Sequence, residues 1–235
     1  PTGDGTVTKS PDLPTYTYGA VVTLTATPNI GWSFDSWSGD LAGSTNPSTI
    51  TMTSDKTVTA IFTQNQYTLD ITILGSGLVT QSPDPPYTYG TVVTLTAVPA
   101  TGWSFSDWSG DLSGNTNPAT IIMTEDKAVT AAFTQNQYTL TINVVGSGSV
   151  SKSPDQATYA YGTVVTLTAT PATGYVFSQW SGDLTGSTNP TTITITSDKS
   201  VTATFTPTLR LYLPFTTDTS DFSSYNNDGV TSGGV

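Results

Sequence analysis

Short runs of alternating apolar and polar residues account for almost the whole chain. In Tyr138–Val144, Tyr138, Leu140, Ile142 and Val144 alternate with Thr139, Thr141 and Asn143, the period of two that marks a half-buried strand. Gly146, Ser147 and Gly148 are read as a tight reversal using positive φ, with a return strand beginning at Val150 and ending at Pro154 and Asp155. Val164–Thr170 alternates again and stops at Pro171. From Tyr175 onward the step from Phe177 to Trp180 breaks strict alternation and predicts a bulge or twist. Ile193 and Ile195 mark another strand, Ser197, Asp198 and Lys199 a turn, and Val201, Ala203 and Phe205 the last strand of a module of about six. No segment has helical periodicity.

This pattern is written three times. Gly19, Gly90 and Gly162 are separated by 71 and 72 residues, and so are Trp37, Trp108 and Trp180 and Phe62, Phe133 and Phe205. The predicted organisation is repeat 1 at 1–64 without its first strand, repeat 2 at 65–135, repeat 3 at 136–206, and a differing tail at 207–235. Phe62 and Tyr67, and likewise Phe133 and Tyr138, are separated by four residues, too few for a floppy linker. The fold class predicted is all-β: three tandem small modules in an elongated rod, each adding roughly 30 Å, plus a C-terminal strand segment.

Composition sharpens this picture. The chain carries 17 acidic and 6 basic residues, a net charge of −11, which repels phosphate backbones and sets nucleic acid aside. There is no Cys and no His, so small modules must be stabilised by aromatic packing rather than by disulfides or zinc. Thr-rich strands stay wet on their outer face without charge, a composition associated with secreted β-repeat proteins. No apolar run is long enough to span a bilayer. The opening Thr2-Gly3-Asp4-Gly5 matches Gly75–Gly77 and Gly146–Gly148, while the preceding strand has no counterpart. We read this as an excerpt from a longer protein, or a first module that borrows its strand.

Candidate chemistry recurs with the repeats. Asp12, Asp84 and Asp155; Asp40, Asp111 and Asp183; and Asp55, Asp126 and Asp198 lie in oxygen-rich loops that are candidates for Ca²⁺, against the plainer reading that Asp forms turns there. Trp32, Trp37, Tyr16 and Tyr18 with their counterparts are candidates for a sugar-stacking face, against a core role for Trp37 beside Phe34 and exposure of the TYTYG tyrosines. Lys56, Lys127 and Lys199 are candidates for an isopeptide bond, against a solvated charge in a turn. No His, Cys nucleophile, nucleophile elbow or phosphate loop is present, so no catalytic, cofactor or metal residue is assigned and the chain is not read as an enzyme.

The order of YTL, GSG, a YGTVVTLTA strand, an aromatic segment ending in WSGD, then NP and DK-x-V-T-A, resembles the divergent internalin-type B-repeat, or bacterial repeat domain, over Gly3–Thr206. That resemblance implies a spacer in secreted or wall-associated proteins and a module related to the β-grasp, although no helix is visible. The tail from Leu209 resembles the opening of a concanavalin-like or laminin G-like jelly roll; a free strand that adds to another subunit's sheet is the alternative. The resulting expectation is an extracellular or cell-surface stalk, adhesin shaft or filament. Self-association through edge strands is the expected partner interaction, and a carbohydrate-binding region contacting surface glycans is the alternative.

Overall fold

The computed structural model describes residues 1–208; the tail reading at Leu209–Val235 lies outside them. Every regular element among the described residues is a strand. Repeat 1 holds β1 (Gly5–Ser10), β2 (Val21–Pro28), β3 (Trp32–Gly39), β4 (Ser48–Thr51) and β5 (Val58–Gln64). Repeat 2 holds β6 (Gln66–Tyr67), β7 (Leu69–Leu74), β8 (Gly77–Ser82), β9 (Tyr87–Thr88), β10 (Val92–Pro99), β11 (Trp103–Gly110), β12 (Ala119–Ile122) and β13 (Lys127–Gln135). Repeat 3 holds β14 (Gln137–Tyr138), β15 (Leu140–Val145), β16 (Gly148–Ser153), β17 (Tyr159–Ala160), β18 (Val164–Pro171), β19 (Tyr175–Gly182), β20 (Thr191–Thr194) and β21 (Lys199–Pro207). The chain divides into two compact units, one of Pro1–Tyr138 with Ala160–Gly162, the other of Thr139–Tyr159 with the chain from Thr163 onward.

Each complete repeat is two three-stranded sheets face to face. In repeat 2 they run β12-β10-β8 and β11-β13-β7, and in repeat 3 β16-β18-β20 and β15-β21-β19. Between them lie Val93, Leu95, Ala97, Trp108, Ile121, Met123, Val129, Ala131 and Phe133, all buried, with Tyr87 closing one end. The alternation that predicted the strands is the alternation of burial, since inward residues of both sheets meet in one core. A fully buried Val, Leu or Phe contributes about 1.5–3 kcal/mol, and this core is the source of stability in a module without cysteines. The bulge is present: the β19–β21 register shifts between Phe177 and Gln179, which brings the Phe177 and Trp180 rings within 4.9 Å on one side.

Three expectations are corrected. The strand expected at Tyr138–Val144 is broken at Thr139, whose N–H and hydroxyl both donate to Asp198 at 2.8 and 2.9 Å. The reversal at Gly146–Gly148 is not a hairpin. β15 pairs in parallel with β21, whereas β16 pairs with β18 in the facing sheet, so the chain turns from one sheet to the other around Phe205. Only Gly146 has positive φ (84°); Gly148 is there because a Cβ would lie 2.6 Å from the Phe205 ring. The turn expected at Ser197–Lys199 likewise crosses from β20 in one sheet to β21 in the other and closes no hairpin. With no helix among the described residues, a second sheet covers the core that a helix covers in a β-grasp module.

Candidate functional site: the joint and strand slot of each repeat

Recurrent polar residues sit where strands need finishing. β4 pairs with β2 only from Val21 to Leu24, and beyond it the Asn46 side chain takes over. Its Oδ1 accepts from Ala26 N–H at 2.9 Å and its Nδ2 donates to the Ala26 carbonyl at 2.7 Å, as a neighbouring strand would. Asn117 and Asn189 do the same to Ala97 and Ala169. The loop ahead of each Asn wraps the buried Trp, whose indole N–H donates to Thr45, Thr116 or Thr188. These Asn clasps were not anticipated; the recurrence of Asn before Pro in TNP was the available signal.

The aspartates do comparable work. Asp40, Asp111 and Asp183 each accept a backbone N–H at 2.7 Å, from Thr57, Ala128 and Ser200. Asp126 and Asp198 anchor an incoming strand, accepting from the N–H and hydroxyl of Thr68 and Thr139 respectively. Asp12 and Asp155 pair with Lys9 and Lys152 at 3.1 and 3.0 Å, and each lysine stands over a tyrosine ring. Among the described residues no three acidic, His or Cys side chains gather as a metal centre. In repeat 2 the corresponding lysine is Gln81, whose buried Oε1 has no partner. Gln81→Lys is expected to restore the pair with Asp84 and raise the stability of repeat 2 by about 1 kcal/mol, read by chemical denaturation.

These contacts set an acid limit. The Thr68 N–H, and after it the Thr68 hydroxyl, hold the Asp126 carboxyl below its ordinary range, and Thr139 does the same for Asp198. The Thr57 N–H, more than Lys56, lowers Asp40. A folded-state pKa below the unfolded one gives stability that is complete above the unfolded value and lost as pH falls through the folded one. Melting temperature is therefore expected to decline below about pH 4. Asp126→Asn with Asp198→Asn is expected to lower it at neutral pH and flatten that decline, as followed by circular dichroism.

The candidate sugar face does not assemble as one surface. Trp37 lies in the core with Phe34 at 5.0 Å, and Tyr16 bonds Pro11 through its hydroxyl at 2.8 Å, leaving Tyr18 as the outward ring, 85% exposed. The three lysines make ion pairs: Lys56 with Asp40, Lys127 with Glu125 and Lys199 with Asp183, at 3.4, 3.4 and 3.6 Å.

The joint between repeats is specific. Asn65 N–H donates to the Gly31 carbonyl at 2.8 Å and its Oδ1 accepts from Ser33 at 2.6 Å, which fixes where the chain leaves repeat 1. Tyr89 then covers Gly31, so closely that a Cβ on that glycine would fall on the tyrosine. Within the same compact unit Tyr161 covers Gly102, and Asn136 repeats both bonds with Gly102 and Ser104. Small glycine and rigid tyrosine thus form a plug and socket in which added volume on either side is refused.

The family model of the divergent InlB B-repeat domain matches residues 1–66, 67–137 and 138–209, nearly the whole chain. The chain belongs to that family. Its three B-repeats are tandem copies of a domain typical of surface or secreted bacterial proteins and of a non-catalytic kind. Comparison with curated proteins gives no match. No helix among the described residues is long and apolar enough to cross a membrane.

The edge beside the last strand differs between the B-repeats. In B-repeats 2 and 3 a strand that follows a Thr lies parallel to the last strand: β7 along β13 from Leu69 opposite Lys127, and β15 along β21 from Leu140 opposite Lys199. Leu69 and Ile71 pack on the core of B-repeat 2. In B-repeat 1 the equivalent edge of β5 carries a single bridge, Thr2 to Ile61. Ile50, Met52 and Val58, whose counterparts are buried, are therefore only partly covered. A cavity of about 390 Å³ opens there, lined by Val22, Leu24, Trp37, Ile50, Met52 and Val58.

Proposed function

We propose that this chain is an extracellular, non-catalytic segment that serves as the shaft of a cell-surface adhesin or filament. The observation that carries the reading is the joint: Tyr89 on Gly31, with Asn65 held by Gly31 and Ser33, makes the connection between consecutive repeats a packed interface in place of a loose linker. A joint of this kind transmits load and orientation, which a spacer needs and a single binding site does not. The recurrent Asn, Asp and Trp side chains support the same reading, since they are engaged in holding backbone.

The test is immunogold labelling of intact source cells with antibody to residues 1–208, before and after external protease. Gold at the cell periphery that protease removes is the expected result, and label confined to the cell interior overturns it. Binding of the soluble chain to a glycan array, abolished by Tyr18→Ala, is the outcome that would favour a carbohydrate-binding region instead.

A further inference from the structure

We propose that the parallel strand pairs of B-repeats 2 and 3, β7 with β13 and β15 with β21, are load-bearing clamps that tension along the chain must shear before the repeat can unfold. A shaft has use for such a clamp, and to that extent the inference rests on the shaft reading. The clamp itself is a mechanical property of the chain, which holds or fails wherever the protein resides.

Connectivity decides how a pull reaches the sheet. In B-repeat 2 the chain enters at the start of β7, Leu69, and leaves at the end of β13, Gln135. The two strands are neighbours in one sheet and run parallel, with six residue pairs from Leu69 opposite Lys127 to Leu74 opposite Ala132. A pull that separates the two ends of the repeat therefore drags β7 backwards and β13 forwards along their common axis. The evenly spaced hydrogen bonds of a parallel pair share that load. B-repeat 3 has the same geometry, from Leu140 opposite Lys199 to Val145 opposite Thr204, between entry at β15 and exit at β21. Had the pair been antiparallel, as β11 and β13 are, entry and exit would lie at one end and the pull would open the ladder one bond at a time.

Three features strengthen the pair where the force arrives. The Thr68 N–H and hydroxyl donate to Asp126 at 2.7 and 3.0 Å, and the Thr68 carbonyl accepts from the Lys127 N–H at 2.9 Å, so the residue ahead of β7 is itself held. Thr139 is held in the same way by Asp198 and Lys199. Slippage is blocked by the core: Leu69 and Ile71 pack on it while Asp70 and Thr72 are exposed, and a shift of one residue would exchange the two sets. The exit is pinned as well. Beyond Gln135 the Asn136 N–H donates to the Gly102 carbonyl at 2.9 Å, and the Ser104 hydroxyl donates to Asn136 at 2.7 Å. Since β13 lies between β11 and β7, whereas β7 is at the edge of its sheet, the β7–β13 ladder is the part that yields. Resistance to a pull is governed by the unfolding barrier and not by equilibrium stability, so this geometry can make a small module without cysteines strong.

The experiment is single-molecule force spectroscopy on the 235-residue chain, which has no native cysteine to compete with introduced thiol handles. Handles at Gln66→Cys and Gln135→Cys load β7–β13 in shear. Handles at Asp70→Cys and Ala128→Cys, opposed and exposed positions, load the same ladder in opening. Gln137→Cys with Pro207→Cys, against Thr141→Cys with Ser200→Cys, repeats the comparison in B-repeat 3, and chemical denaturation shows that each variant is folded before it is pulled. In shear, a single rupture that lengthens the chain by about 200 Å is expected. Its force should exceed the opening force at least about twofold, because six pairs give way together instead of in turn. A smaller difference in either repeat, or gradual lengthening without a rupture, overturns the proposal. These outcomes are read on purified protein and are distinct from immunogold label found inside the cell, which would overturn the shaft reading alone.

Discussion

Trp180→Ala is expected to unfold the third repeat. The side chain is 2% exposed and its ring lies 4.9 Å from that of Phe177, which in turn meets the Phe205 ring edge-on at 5.8 Å. Truncating a buried aromatic of this size costs about 3–5 kcal/mol. The indole N–H that holds the Thr188 carbonyl at 2.9 Å goes with it, and an unpaired carbonyl adds about 1 kcal/mol or more where it stays buried. That loop carries Asn189, whose clasp on Ala169 depends on the same wrap. Against a stability of roughly 4–10 kcal/mol for a body of some 70 residues, the loss consumes most of what is available. Thermal unfolding by circular dichroism should show part of the transition moving to much lower temperature. Trp180→Phe, which keeps a ring in the core and removes only the donor, should cost less than half as much.

Gly146→Ala is expected to have the next largest effect, for a reason that composition hides. Gly146 has φ 84°, a conformation that costs an L residue about 1–2 kcal/mol. The added Cβ would also fall on the Phe205 carbonyl oxygen, which belongs to the partner strand and cannot move without breaking the sheet. Together these place the cost at about 3 kcal/mol or more. The damage should be local to the parallel pairing of β15 with β21, since Gly146 is the corner that lets one strand leave that sheet. Hydrogen exchange is the direct readout: the amides of Asn143–Val145 should lose protection before those of Val165–Ala169. Ser147→Ala, which removes an atom and adds none, should leave both sets unchanged.

These two sites show different degrees of legibility. Trp180 was readable as core because a large aromatic beside Phe177, in a module without disulfides, has nowhere else to contribute. Gly146 was readable as special, yet its role was misassigned. A glycine at a reversal looks the same whether the chain returns beside itself or crosses to another sheet, and only the position of Phe205, 59 residues away in sequence, distinguishes the two cases.

The candidate sites follow the same division. Recurrence of Asp55, Asp126 and Asp198 was plain in the sequence, but not that Asp126 and Asp198 catch a threonine 58 and 59 residues earlier. The TNP asparagine drew attention as part of an oxygen-rich loop, when its work is to finish a strand edge. In each case a backbone group is among the partners, and a backbone group leaves no trace in residue identity.

By itself the sequence determined that the protein is built of strands, where most of them begin and end, that the module occurs three times, and that its recurrent Trp belongs to the core, but not that Tyr87 and Tyr159, expected to be exposed, are buried. Those properties depend on alternation and spacing between near neighbours, and near neighbours are adjacent in the chain. Only the tertiary structure decided which sheet each strand joins and that the first long strand of a module runs parallel to its last. Strand pairing is settled by burial of side chains from segments far apart in the chain, and several pairings satisfy the same alternation until the core selects one.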